Sequence, residues 1–189
     1  MLTGANVRLE PLTLRVLDDY MSALTDPETQ RLTGTHASFE PSAVEHWIAT
    51  RHEIPDRADW AVVRNADGVF LGEAVINDLD VDNESANYRI WLAGPHVFGC
   101  GYGTEATRLV VDHALDSAGL HRLSLGVYEF NPRARRVYEK CGFREEGRLR
   151  QSLRWEGGWY DEVLMAVLQG EPRTDQVPGA PVAEATTPG

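Results

Sequence analysis

Three glycines at alternate positions, Gly99, Gly101 and Gly103 in the stretch VFGCGYGTEATRLVVDHAL, run directly into a pattern of helical periodicity. Glycine lets several backbone N–H groups converge on one anion, and a helix start adds positive potential at the same place, so the spacing suits a phosphate group. Two common phosphate-binding arrangements do not match. A dinucleotide fingerprint requires G-x-G-x-x-G, and a P-loop requires Lys and then Ser or Thr after its last glycine, whereas Gly103 is followed by Thr104 and Glu105. A flexible strand-to-helix turn would explain the glycines alone about as well as binding does. A second helix start tilts the balance. NPRARRVYEKCG places Asn131 as N-cap, Pro132 at the first helical position and Gly142 just past the end. Both helix starts follow consecutive strands and can face one ligand from the same end of an open sheet. Arg133, Arg135 and Arg136 place cationic groups beside the second start, suited to phosphates.

The elements that must position these residues follow from periodicity. VRLEPL reads as a first strand, TLRVLDDYMSALTD as a helix stopped by Pro27, and PSAVEHWIATRHE as a second helix. DWAVVRN and VFLGEAVINDLD are strands joined at ADG, a good hairpin turn, and SANYRIWLA is reached through DVDNE. In a hairpin centred near Asp82, Glu73, Val75 and Asn77 share a face with Asn87, Arg89 and Trp91. EATRLVVDHALDSAG then forms a helix with Ala106, Leu109, Val110, His113 and Ala114 on one stripe, ending at Gly119. RLSLGVYEF is a strand, and GRLRQSLRW and WYDEVLMAVL form a last pair joined through EGG. Residues 1–169 therefore read as one domain, and the proline-rich segment 170–189, without an aromatic residue, as a disordered tail.

Composition narrows the partners. A net charge of −11 argues against nucleic acid, which needs a basic footprint, and favours a cationic acceptor. Five acids and no base lie between residues 73 and 84, while residues 128–154 hold eight bases against four acids. No apolar run approaches the ~20 residues that span a bilayer, so no membrane insertion is expected. Cys100 and Cys141 show no zinc spacing and suit a reducing compartment, so a cytoplasmic location is expected. The six histidines show no metal spacing, and no metal site is expected.

From NYRIWLAGP through FGCGYGTEATRLVVDHA, GLHRLSLGVYEFNPRARRVYEKCGF and EEGRLRQSLRWEGGWYDEVLMAVL, the chain resembles the GCN5-related N-acetyltransferases (GNAT). It most resembles the branch that includes ribosomal-protein N-terminal acetyltransferases. The resemblance implies a single α/β domain with a mixed, mostly antiparallel sheet that splays at the cofactor site and is flanked by helices. It also implies acetyl-CoA as co-substrate, its pyrophosphate held by backbone amides of Cys100, Gly101, Tyr102, Gly103 and Thr104, with Phe98 and Gly99 at the start of the same cofactor-binding loop. Ile90, Trp91 and Leu92 would lie along the pantetheine arm, with an N–H near the thioester carbonyl. Asn131 matches a cofactor-contacting position and Tyr138 the tyrosine that protonates the departing thiolate. Phe98 and Cys100 depart from the family pattern, which commonly has Arg or Gln at the first place and Arg or Lys at the second. A homodimer is expected only at the level of the family.

Acyl transfer to an amine sets three demands: deprotonation of the amine, a donor for the developing oxyanion, and a proton for the thiolate. Tyr138 is the acid, on the resemblance together with its inward position on the capped helix. Glu73 is the base candidate, set against a cross-strand ion pair with Arg89 and against a water chain without a dedicated base. The expected activity is direct acetyl transfer to a primary amine, either a protein N-terminus or a small polyamine, amino acid or aminoglycoside. A non-catalytic acyl-CoA-binding module is the alternative of a different class.

Overall fold

The computed structural model describes residues 1–173. Eight strands, β1 (Leu2–Thr3), β2 (Val7–Pro11), β3 (Ala58–Arg64), β4 (Phe70–Asp80), β5 (Ser85–Leu92), β6 (Arg122–Tyr128), β7 (Arg144–Trp155) and β8 (Gly158–Leu168), form one sheet. Their order is β1-β2-β3-β4-β5-β6-β8-β7. Every neighbouring pair is antiparallel except β5 and β6. That parallel pair meets only from Ser85 to Asn87 against Arg122 to Ser124. Beyond it the two strands diverge, and Tyr88 to Leu92 keep their ladder with β4 while losing any partner on the β6 side. The sheet is thus mixed, mostly antiparallel and split along one seam.

Helices cover both faces: α1 (Leu17–Leu24), α2 (Pro27–Thr33), α3 (Pro41–Thr50), α4 (Tyr102–Asp112) and α5 (Pro132–Lys140). Strand alternation sends Tyr88, Leu123, Leu125, Val163 and Met165 to the core under α4 and α5. Ala61, Val63 and Phe70 go to a second core with Tyr20 of α1 and Val44 and Ile48 of α3. The stripe expected on α4 is buried at Ala106, Val110 and Ala114, and a single π turn (His113–Ser117) finishes the helix before Gly119 at φ 76°.

Pro27 does not stop a helix; it begins α2. Asp26 caps this helix by accepting a hydrogen bond from the Thr29 N–H at 2.7 Å, and Pro27 occupies a first-turn position where a missing N–H is harmless. Residues 170–173, the first of the expected tail, are among the described residues. The Arg173 guanidinium reaches both carboxylate oxygens of Asp116, at 2.7 and 2.8 Å, so the chain is still held to the domain there. The rest of the expected tail, residues 174–189, lies outside the described residues. Among the described residues no helix is long and apolar enough to cross a membrane.

Candidate active site

The seam between β5 and β6 opens into a cleft of about 560 Å³. At one end lies the glycine turn. Gly99 and Gly101 sit at φ 76° and 85°, a region costly for any residue with a Cβ, and a Cβ at either would project into open space. Gly101 is the N-cap of α4 and no side chain caps it, so the first-turn amides of Tyr102, Gly103 and Thr104 lack intrahelical acceptors and remain available to an anion. Gly103 is an ordinary helical residue whose Cβ would touch Leu92 Cδ1 at 3.5 Å.

The second helix start lies against the same cleft. Asn131 Oδ1 accepts a hydrogen bond from the Ala134 N–H at 3.1 Å, which fixes the first turn of α5. Asn131, Arg133, Arg136 and Tyr138 line the cleft, and so does Lys140, which the sequence did not single out. Arg133 stacks on Phe98 with 3.9 Å from guanidinium carbon to ring centroid, so the residue that departs from the family pattern orients a cation instead of supplying one. One expected side-chain contact is not brought to the cleft, and Cys100, expected to offer its backbone amide, keeps its side chain out of it. Arg135 is turned to the other side of α5, paired with Glu139 and Glu145 at 2.9 Å each, and the Cys100 thiol is exposed and outside the lining.

Tyr138 is buried against Tyr88 and Phe143, and its hydroxyl has no hydrogen-bond partner among the described residues. Burial holds its acidity well below that of a free phenol, so the group remains a proton donor throughout the neutral range.

Glu73 lies across β5 from this cleft, on the α1 and α3 face. The register pairs Glu73 with Trp91, Val75 with Arg89 and Asn77 with Asn87. Gly72 allows the close approach: a Cβ there would meet Leu92 Cα at 2.8 Å and also strike the Trp91 carbonyl. Glu73 Oε2 accepts a hydrogen bond from the Trp91 indole N–H at 2.7 Å. Oε1 makes no hydrogen bond of ordinary geometry among the described residues, although the Tyr20 hydroxyl is nearby. Desolvation is the largest influence on this carboxyl, and its pKa is pushed up to about 7 despite the Trp91 hydrogen bond. Glu73 forms no ion pair with Arg89.

This carboxylate lines a second cavity of about 430 Å³, walled by Tyr20, Phe39, Trp47 and Trp91. The two cavities share Thr29 and Thr33 of α2 and Arg89, Ile90 and Trp91 of β5. The cleft and the second cavity therefore meet on one strand, beside the helix that the reading of Pro27 as a stop concealed. Glu162 of β8 is a further cleft residue that was not anticipated. Its carboxylate occupies the space that a side chain at Gly126 would fill, and burial raises its pKa from the usual value. Trp155, Trp159, Tyr160 and Asp161 of the β7–β8 hairpin line neither cavity. No cluster of His, Cys, Asp and Glu able to hold a metal occurs among the described residues.

A split sheet with an uncapped glycine turn and a capped helix at one end suits a phosphate-bearing ligand. The chain belongs to the acetyltransferase (GNAT) family, whose domain matches residues 6–144 and whose acetyl donor is acetyl-CoA. It is 31% identical over 175 residues to YdaF of Bacillus subtilis (strain 168), provisionally named a ribosomal N-acetyltransferase, covering 86% of this chain and 93% of that one. It is 44% identical over 70 residues to YjcK of the same organism, provisionally named an N-acetyltransferase, covering 37% of this chain. It is 30% identical over 110 residues to the spermidine N(1)-acetyltransferase of Vibrio cholerae serotype O1, covering 58% of this chain. These last two matches span 39% and 63% of the relatives, less than two thirds of either. Among solved structures, the V. cholerae spermidine N-acetyltransferase in complex with CoA and spermine superposes with a TM-score of 0.81 at 21% identity, over 89% of this chain and 98% of that one.

Proposed function

We propose that the protein transfers the acetyl group of acetyl-CoA directly to a primary amine bound in the cavity beside Glu73. The observation that carries this reading is Glu73 itself: a buried carboxylate, one oxygen held by Trp91 and the other with only the nearby Tyr20 hydroxyl and no hydrogen bond of ordinary geometry among the described residues, facing a cavity that meets the donor cleft along β5. A general base works best with a pKa near the operating pH, and a carboxyl at about 7 meets that condition for taking a proton from an ammonium group.

The cleft residues fit the donor. The open cradle at Gly99 and Gly101 and the free amides of the first α4 turn suit a pyrophosphate, and Arg133, Arg136 and Lys140 suit the remaining phosphate charge. Bound acetyl-CoA supplies an activated carbonyl and a thiolate leaving group. The unpaired edge of β5 at Ile90 to Leu92 offers backbone donors to the carbonyl oxygen, and Tyr138 donates its phenolic proton to the departing sulfur. Thiol release from acetyl-CoA, followed with and without a panel of peptides, polyamines, amino acids and aminoglycosides, tests the reading. Amine-dependent release that falls in Glu73→Gln is expected. Binding of acetyl-CoA without release for any amine would instead mark an acyl-CoA-binding module.

A further inference from the structure

The acceptor cavity carries a second charged residue that the acetyl-transfer reading does not use. Arg89 borders both cavities, is exposed, and has no hydrogen bond or ion pair among the described residues. The neighbouring cations are engaged. Arg57 grips Asp59 with Nε to Oδ2 at 2.8 Å, and Arg51 lies on the Trp47 ring at 4.0 Å. Around Glu73 there are thus three guanidinium groups, at 51, 57 and 89, against the carboxylates of Asp59 and Glu73 itself, with Asp56 acting on Arg57 from outside the cavity lining. Glu73 is the only carboxylate among the residues lining the acceptor cavity.

This balance does not suit a polyamine, whose second ammonium would meet Arg89 where an acidic partner is required. It does suit a zwitterion. Arg89 and Trp91 stand on the same face of β5, two residues apart, and Trp91 is opposite Glu73 in the register. Two residues along a strand span about 7 Å, which an α-amino carboxylate can bridge with one hydrogen bond of about 2.9 Å at either end. The guanidinium fork matches a carboxylate in shape and charge. One side of the remaining wall is aromatic and aliphatic, with Tyr20 edge-on to Trp91 at 5.0 Å between centroids and 5.9 Å from Trp47, and Thr29, Gln30, Thr33 and Thr35 supply the uncharged polar part.

Resting on the acetyltransferase reading above, we propose that Arg89 reads a carboxylate on the acceptor, which is a small α-amino acid with an apolar or aromatic side chain. The test is steady-state thiol release with matched pairs that differ only in the carboxylate: phenylalanine and phenethylamine, tryptophan and tryptamine, leucine and isoamylamine. Phenylalaninamide and spermidine complete the series. For the preferred pair the amino acid should exceed its decarboxylated partner in kcat/KM by about 10- to 100-fold, the range of a hydrogen bond to a charged group. Arg89→Gln should shrink that ratio toward unity, chiefly through the KM of the amino acid. Equal or better use of the decarboxylated amines, the amide or spermidine by the unmodified enzyme refutes the carboxylate reading and leaves acetyl transfer intact. So does a ratio unchanged by Arg89→Gln. Absence of release with every amine overturns the transfer reading and this one with it.

Discussion

Replacing Glu73 with Gln should separate stability from activity in a manner that depends on pH. The folded state holds this carboxyl at about 7 against an ordinary value of 4.5. A raised carboxyl pKa means that the native state binds more protons than the unfolded chain between those values, so stability falls as pH rises through that window. Integrated over the titration, ionising the buried group costs about 1 kcal/mol at pH 5 and about 3 kcal/mol at pH 8. Glutamine keeps a carbonyl oxygen for the Trp91 indole and carries no charge to desolvate. The variant should therefore gain on the wild type by about 2 kcal/mol between pH 5 and pH 8, or about 4 to 8 °C in Tm for a domain of this size. Thermal and urea unfolding of both proteins at the two pH values measures the gap. Over the same range, the wild-type acid limb of kcat, with its inflection near 7, should vanish in the variant along with most of the turnover. A stability gap that does not change with pH would show that Glu73 is not a desolvated carboxylate in the folded protein and would remove its suitability as base.

Three further outcomes follow from the same geometry. Tyr138→Phe should lower kcat by about 10²-fold or more while leaving the Kd for acetyl-CoA nearly unchanged, because the ring contacts with Tyr88 and Phe143 persist and only the proton donor is lost; stopped-flow release and calorimetry separate the two quantities. Gly101→Ala should weaken acetyl-CoA binding by roughly tenfold, the cost of about 1 to 2 kcal/mol for a Cβ in the left-handed region, whereas Gly103→Ala, already helical and in ordinary contact, should bind almost normally by the same titration. Asn131→Ala should cost about 1 kcal/mol of stability through loss of the cap on Ala134, read from urea midpoints at constant m.

Which parts of this site were legible in the sequence depends on how far each residue's position is set by local rules. Hairpin register is local. Alternation about the turn near Asp82 placed Glu73 on the face of Trp91 and Arg89, and the structure pairs Glu73 directly with Trp91, against the ion pair that was weighed with it. The cap at Asn131 was equally local, and its three-residue reach to Ala134 is what the sequence signal encodes. Helical rotation would also have separated these side chains: Arg133, Arg136 and Lys140 recur at i, i+3 and i+7 and face the cleft, whereas Arg135 and Glu139 turn away to pair with each other. Pro27 was misread for a different reason. A proline ends one helix and opens the next with the same chemistry, and the deciding feature was Asp26 ahead of it, the N-cap that binds Thr29.

The residues that stayed hidden are those fixed by contacts distant in sequence. Glu162 enters the cleft because Gly126, 36 positions earlier in the chain, leaves room for its carboxylate, and nothing in the alternation of β8 announces that vacancy. Arg89 is the converse case. Its register was readable, but its lack of a partner emerges only once the neighbouring cations are seen to be engaged, Arg57 by Asp59 and Arg51 by Trp47. An exposed arginine left unpaired between a donor cleft and an aromatic cavity is a weak signal by composition and a strong one by position. The overall charge of −11 pointed to a cationic acceptor, whereas the few charges nearest Glu73 favour one that carries both signs. Net charge acts at long range on encounter, and selection inside a cavity is decided by the groups within hydrogen-bonding reach, so the local balance governs which amine is held for transfer.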